Sequence, residues 1–274
     1  MNSLFLRRSA LSFFCSIIAV ICGSLRAETN ETPASLVAQI QRADYEGDRA
    51  KLKSLHDTLT ASDPNEKVAA RLQYWRGFAM WRRAINGFND SVDPKELEQD
   101  LNQALDDFKA ALAKQPDFVD AKIAIVSCLG NLAFINKTDQ ERTKELIGQS
   151  FAAVSEIKAA APDNPRFFWV MGPILWNTPA DRGGGQDKAI ANYDKGLEFT
   201  LKDKMKSADP LDPSWGEAEL LMSRAWSYLN RAKPDLDKAE VDARAALALV
   251  PYWHYVRDIL LAQIVAQKAK ISAH

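Results

Sequence analysis

ALDDFKAALAKQP, residues 104–116, places Ala104, Phe108, Ala111 and Pro116 at intervals of four, three and five. The first two intervals match one face of an α-helix, so two small residues and an aromatic filler meet the same neighbour, and the proline stops the helix. The pattern recurs at Ala239, Ala243, Ala246 and Pro251, and at Ala189, Tyr193 and Gly196 without the proline. It is a packing rule: small residues let a second helix approach closely, and the filler occupies the gap between the pair. The chain therefore reads as a stack of helical hairpins.

Outside these copies the mature chain continues in apolar stripes recurring at three and four, with no convincing period-two alternation, so the fold expected is all-α. Gly47, Asp63-Pro64, Asp93-Pro94, Pro116, 162–165, 179–185, 210–213, Pro234 and Pro251 punctuate it and cut it into about eleven helices. Paired in order, these give hairpins at about 33–61, 64–115, 117–161, 164–203 and 211–249, with a capping helix at about 252–269. The cap carries Tyr255, Val256, Ile259, Leu260 and Ile264 on one side and Arg257, Asp258, Gln263 and Gln267 on the other. Asp93 before Pro94, and Asp212 before Pro213, each read as an N-cap followed by a first-turn proline.

Residues 1–27 are expected to lie outside the fold. Arg7 and Arg8 precede an apolar run from Ala10 to Cys22, and a polar, acidic stretch opens at Glu28, which is the layout of a secretory signal with its cut after Ala27. The run is shorter than the roughly 20 residues a membrane span needs. The reading puts a single domain at 28–274 in the periplasm or outside the cell, with no membrane span in the mature chain. Removing the signal takes away three arginines and no acids, leaving 32 basic against 36 acidic residues and a net charge of −4, which gives no reason to seek nucleic acid. Cys15 and Cys22 leave with the signal. Cys128, between apolar neighbours, reads as a small buried hydrophobe.

Phe168, Met171, Gly172 and Leu175, followed by Ala189, Tyr193 and Gly196, make a nearly complete copy of a known signature. In these residues the chain resembles the tetratricopeptide repeat, whose period is about 34 residues. Trp75, Phe78 and Ala79 fit an earlier first helix, although Arg82 stands where that signature wants an aromatic. The resemblance implies an α-solenoid of about five antiparallel hairpins whose first helices line a concave wall. In its export signal, repeat count and Gly-rich loop before an Ala-rich helix, the chain is also similar to periplasmic helical-repeat proteins such as the T component of TRAP transporters.

Catalytic and metal chemistry find little support. His56, His254 and His274 have no cysteine or acid at metal-ligand spacing, so no metal site and no cofactor are expected. Glu96, Asp100 and Asp107 read as a water-facing helix side. Gly183, Gly184 and Gly185 precede a helix start but lack the strand and Lys-Ser/Thr of a nucleotide loop, so they read as a compact turn more than an anion site.

The resemblance places Arg166, Trp169, Pro173, Trp176 and Asn177 on the concave wall, with Gln73, Arg76, Met80 and Arg83 at the equivalent positions of the earlier repeat. Trp169 and Trp176 stand seven apart on one helix face, suited to stacking on a ligand, with arginines to attract an acidic group. The expectation is a non-catalytic scaffold that engages a protein or peptide segment through Arg76, Arg83, Arg166, Trp169, Trp176 and Asn177. The alternative is a periplasmic carrier of a small anionic ligand, an organic acid, serving a transporter.

Overall fold

Polar caps set most of the helix starts. Thr32, Asp48, Asn65, Asp93, Asp139, Asn164 and Asp235 each accept a hydrogen bond from a first-turn amide, and Pro33, Pro94 and Pro165 follow three of them at positions where no helical N–H is needed. In the computed structural model, which describes residues 31–204 and 208–272, these starts produce eleven α-helices and no strand among the described residues. They are α1 Pro33–Glu46, α2 Arg49–Thr58, α3 Glu66–Asn89, α4 Pro94–Lys114, α5 Val119–Ile135, α6 Gln140–Ala160, α7 Pro165–Asn177, α8 Gln186–Lys204, α9 Glu217–Asn230, α10 Leu236–Leu249 and α11 Leu261–Ser272. A π-helical turn, Tyr255–Leu260, leads directly into α11. Residues 1–27, read above as an export signal, and His274 lie outside the described residues.

The hairpins pair in chain order as the sequence implied, giving an all-α solenoid, with one shift. The fifth begins at Glu217 and not near 211, because its cap is Gly216, whose amide donates to the Glu219 carboxylate at 2.8 Å. Asp212 does not cap a helix; it pairs with Arg71 across the fold.

Close approach of paired helices follows the small-and-filler pattern. Ala104, Phe108, Ala111, Ala189, Ala239, Ala243 and Ala246 are all fully buried. A Cβ on Gly172 would stand 2.1 Å from the Tyr193 ring, and one on Gly77 would stand 2.9 Å from Phe108, so each aromatic filler of α8 and α4 lies directly on a glycine of the preceding helix. Successive first helices α3, α5, α7 and α9 also touch one another and so form one wall.

The concave side of that wall is not left open along α3. The segment before α9 crosses it: Trp215 packs edge-on against Trp81 of α3 at 5.5 Å and Trp169 of α7 at 5.4 Å, two helices that are not neighbours in chain order. Trp215 Nε1 donates to Tyr74 Oη at 2.9 Å, and Trp75 Nε1 donates to the Leu211 carbonyl at 2.8 Å.

The cap then folds back on the first hairpin. Tyr45 meets Trp253 at 5.0 Å, Arg42 lies 3.9 Å over the Tyr252 ring, and the α1–α2 turn at Gly47 rests against His254. Beneath this contact is a buried polar cluster. Arg82 Nε donates to Asp44 Oδ2 at 2.8 Å, Asn86 Nδ2 donates to Asp44 Oδ1 at 3.0 Å, and the Tyr45 hydroxyl donates to Glu219 Oε1 at 2.7 Å. Arg82, Asp44 and Glu219 are 3%, 1% and 1% exposed. Burial opposes the Arg82 charge, but Asp44 and Glu219 outweigh it and hold the guanidinium firmly protonated, whereas burial pushes the Glu219 carboxyl above its usual range.

This packing sets the direction of two glycine substitutions. Gly172→Ala should lower stability by about 1–3 kcal/mol through overpacking against Tyr193. Gly130→Ala, mid-helix with open space at its Cβ, should instead gain about 0.5–1 kcal/mol. Thermal unfolding followed by circular dichroism reads both, and equal melting temperatures for the two variants would contradict the packing described. In urea unfolding, Asp44→Ala should cost about 3–5 kcal/mol by leaving Arg82 without its direct partner, and the paired Asp44→Leu/Arg82→Met should recover most of it. A loss under about 1 kcal/mol for Asp44→Ala would show that the pair contributes little.

Candidate functional site

What remains of the concave side, beyond the segment filled by Trp215, is a cavity of about 270 Å³. Its walls come from the C-terminal half of α3, from α7 and α9, and from residues at the start of the π-helical turn. Each supplies aromatic or polar side chains at helical spacing: Arg82, Asn86 and Asn89 from α3, Trp169, Pro173, Trp176 and Asn177 from α7, and Met222, Ser223, Trp226 and Ser227 from α9. Tyr193 of α8 forms part of the floor, and Trp253 and Tyr255 close the end.

Six aromatic rings thus face one space. Trp176 and Trp226 meet edge-on at 5.1 Å, and Trp226 is 36% exposed. Trp169 is held by a hydrogen bond from its Nε1 to Ser223 Oγ at 2.9 Å, which fixes the plane of the indole. Among the described residues the polar side chains of the wall are asparagines, serines, Tyr193, Tyr255 and Arg82, and no carboxylate lines it. An apolar, concave site with a few fixed polar groups is the usual form of a small-molecule pocket, although about 300 Å³ is the low end of that range.

The structure brings together three of the six expected site residues: Trp169, Trp176 and Asn177 share the cavity wall. The three arginines are elsewhere, each engaged by acids that the linear sequence gave no way to pair. Arg166 is 4% exposed and bonds Asp120 at 2.6 Å, Asp203 at 2.6 Å and the Trp215 carbonyl at 3.0 Å. Burial disfavours its charge, but Asp120 and Asp203 more than compensate and keep its pKa above the ordinary value. Arg83 pairs with Asp100 and Glu96 on α4, and Arg49 of α2 joins the same acids. Arg76 donates to the carbonyls of His56 and Leu59 at 2.7 and 2.8 Å and lies 3.5 Å from Asp107.

These pairings also correct the reading of α4. Asp100 and Asp107 are 3% and 4% exposed, not water-facing, because arginines from α2 and α3, with His56 and Gln73, cover them.

The glycine loop behaves as a compact turn. Gly183 and Gly185 adopt φ of 86° and 107°, a Cβ on Gly184 would stand 2.2 Å from the Thr178 carbonyl, and the three amides donate to the carbonyls of Ala180, Pro179 and Leu175. Those amides are already bonded and do not point at a ligand. Cys128 is buried with nothing near to activate it, and burial raises its thiol pKa. Among the described residues no cluster of His, Cys, Asp or Glu is arranged to hold a metal ion, and no helix is long and apolar enough to cross a membrane.

Sequence reading missed Arg82, Asn86, Ser223, Trp226, Trp253 and Tyr255. One signal was in view: Arg82 is a charged residue at a position where the repeat signature places an aromatic, and here it is buried against Asp44 at the edge of the cavity wall.

No family model matches the chain, and no curated protein matches it. Solved structures do. The HusA haemophore from Porphyromonas gingivalis superposes over 70% of this chain and 90% of its own, with a TM-score of 0.54 and 20% sequence identity. A thermophilic TPR protein of Thermus thermophilus matches over 82% of this chain and 99% of its own, with a TM-score of 0.46 and 18% identity. Neither comparison supports the likeness to TRAP T components. What the haemophore likeness carries is the fold alone.

Proposed function

We propose that this protein is a non-catalytic binder of a small, flat, largely apolar molecule, seated among Trp169, Trp176, Trp226 and Trp253. The observation that carries the reading is the convergence of four tryptophans and two tyrosines on one cavity, while the rest of the concave side near α3 is occupied by Leu211 and Trp215. Rigid aromatic faces bind planar ligands with little loss of side-chain freedom, and an apolar wall favours ligands that are poorly soluble in water. A protein segment in an extended concave groove fits less well, because the chain's own residues fill that space. A protein partner enters as the donor or recipient of the ligand.

The haemophore likeness, though it bears on fold alone, makes a tetrapyrrole a sensible first probe of the class. A molecule of that size would project through the mouth beside Trp226. The N-terminal segment, read as an export signal cut after Ala27, places this binder in the periplasm or outside the cell, where a carrier of a poorly soluble molecule has a use.

The test is a titration of the purified protein with protoporphyrin IX and with 1-pyrenebutyrate, following tryptophan fluorescence. Saturable quenching is expected, with the paired Trp176→Ala/Trp226→Ala weakening binding about tenfold, the combined effect of two lost ring contacts. No quenching by either probe, or unchanged affinity in the paired variant, would contradict the assignment.

A further inference from the structure

We infer that the cavity takes its ligand by an acidic group and that Arg82 is the anchor; this rests on the cavity being a ligand site. Arg82 is the one charged side chain in the described wall, and no Asp or Glu lines the space it reaches. The acid preference expected from sequence therefore returns on a residue different from those first named.

The donor arrangement supports the assignment. Arg82 spends Nε on Asp44, but its Nη1 has no acceptor, in a side chain 3% exposed. Asp44 is already engaged, since one carboxylate oxygen is taken by Arg82 and the other by Asn86. Glu219, the other acid near this cluster, accepts from Tyr45 and from the Gly216 amide. A buried cation with an unfilled N–H is costly, and a charge-assisted bond to a carboxylate is about twice as strong as a neutral one.

The surroundings fix the guanidinium. It lies 5.4 Å from the Trp169 ring centroid, 5.7 Å from Trp81 and 5.8 Å from Phe78, so it is clamped between aromatic faces beside the indole proposed to stack on the ligand. Asn86, Asn177 and Ser223, also in the wall, stand as neutral polar groups around it. A flat body bearing one short acidic arm matches this layout: the rings take the body and Arg82 takes the arm.

The experiment compares 1-pyrenebutyrate with 1-pyrenebutanol, which share the flat body and differ in charge, by energy transfer from tryptophan in the unmodified protein. The acid should bind about tenfold more tightly, the effect of one charge-assisted bond. In Arg82→Gln/Asp44→Asn, which removes both buried charges together, the ratio should fall to near one. Equal binding of acid and alcohol by the unmodified protein overturns the anchor and leaves the aromatic cavity standing as a site. A tenfold preference that persists in the folded double variant overturns it also. Failure of both probes overturns the anchor and the cavity reading together.

Discussion

The buried pair between Arg82 and Asp44 is the constraint on which the rest of this structure depends. It joins the first helix to the third, and through Tyr45 and Glu219 the same cluster reaches the ninth. An open stack of hairpins would let its ends diverge. Here α1 is tied to α3 and α9, and the capping residues Tyr252 and Trp253 close over Arg42 and Tyr45. Because a buried ion pair gives little net stability but is costly to break, its effect is to specify one arrangement of these helices over looser ones. The cavity lies within that arrangement: α3, α7 and α9 all contribute side chains to its wall.

The same logic explains where the remaining arginines go. Arg166 bridges Asp120 and Asp203, and Arg224 bridges Asp194 and Asp242, so arginines of first helices bolt neighbouring helices together. Arg83 and Arg49 do this with Asp100 and Glu96. Partly buried, bidentate pairs of this kind fix geometry better than surface pairs do. A chain without disulfides among its described residues relies on such bolts and on aromatic packing.

The fold was legible wherever the determinant is local. Caps such as Asp93 before Pro94, the Ala-and-filler spacing of α4, and Gly172 against Tyr193 involve residues within one hairpin, so their periodicity carries the information. That Trp169 and Trp176 share one helix face was legible for the same reason, since they stand seven apart. What sequence left hidden is long-range. Trp215 reaches Tyr74 across 141 positions, and the acids that neutralise Arg166 lie 37 and 46 positions away. A superhelix that closes on itself decides those meetings, and no pattern within a repeat encodes its curvature. Hence Arg76, Arg83 and Arg166 meet acids away from the cavity, whose wall Arg82 joins instead.

The seven tryptophans fall into two groups: Trp169, Trp176, Trp226 and Trp253 line the cavity, while Trp75, Trp81 and Trp215 do not. Indole N–H resonances separate them in one spectrum. On titration with protoporphyrin IX, a two-dimensional ¹⁵N–¹H spectrum should show the four cavity indoles shifting or broadening together while the other three hold their positions. Perturbation confined to the second group, or spread evenly over all of them, would contradict the account.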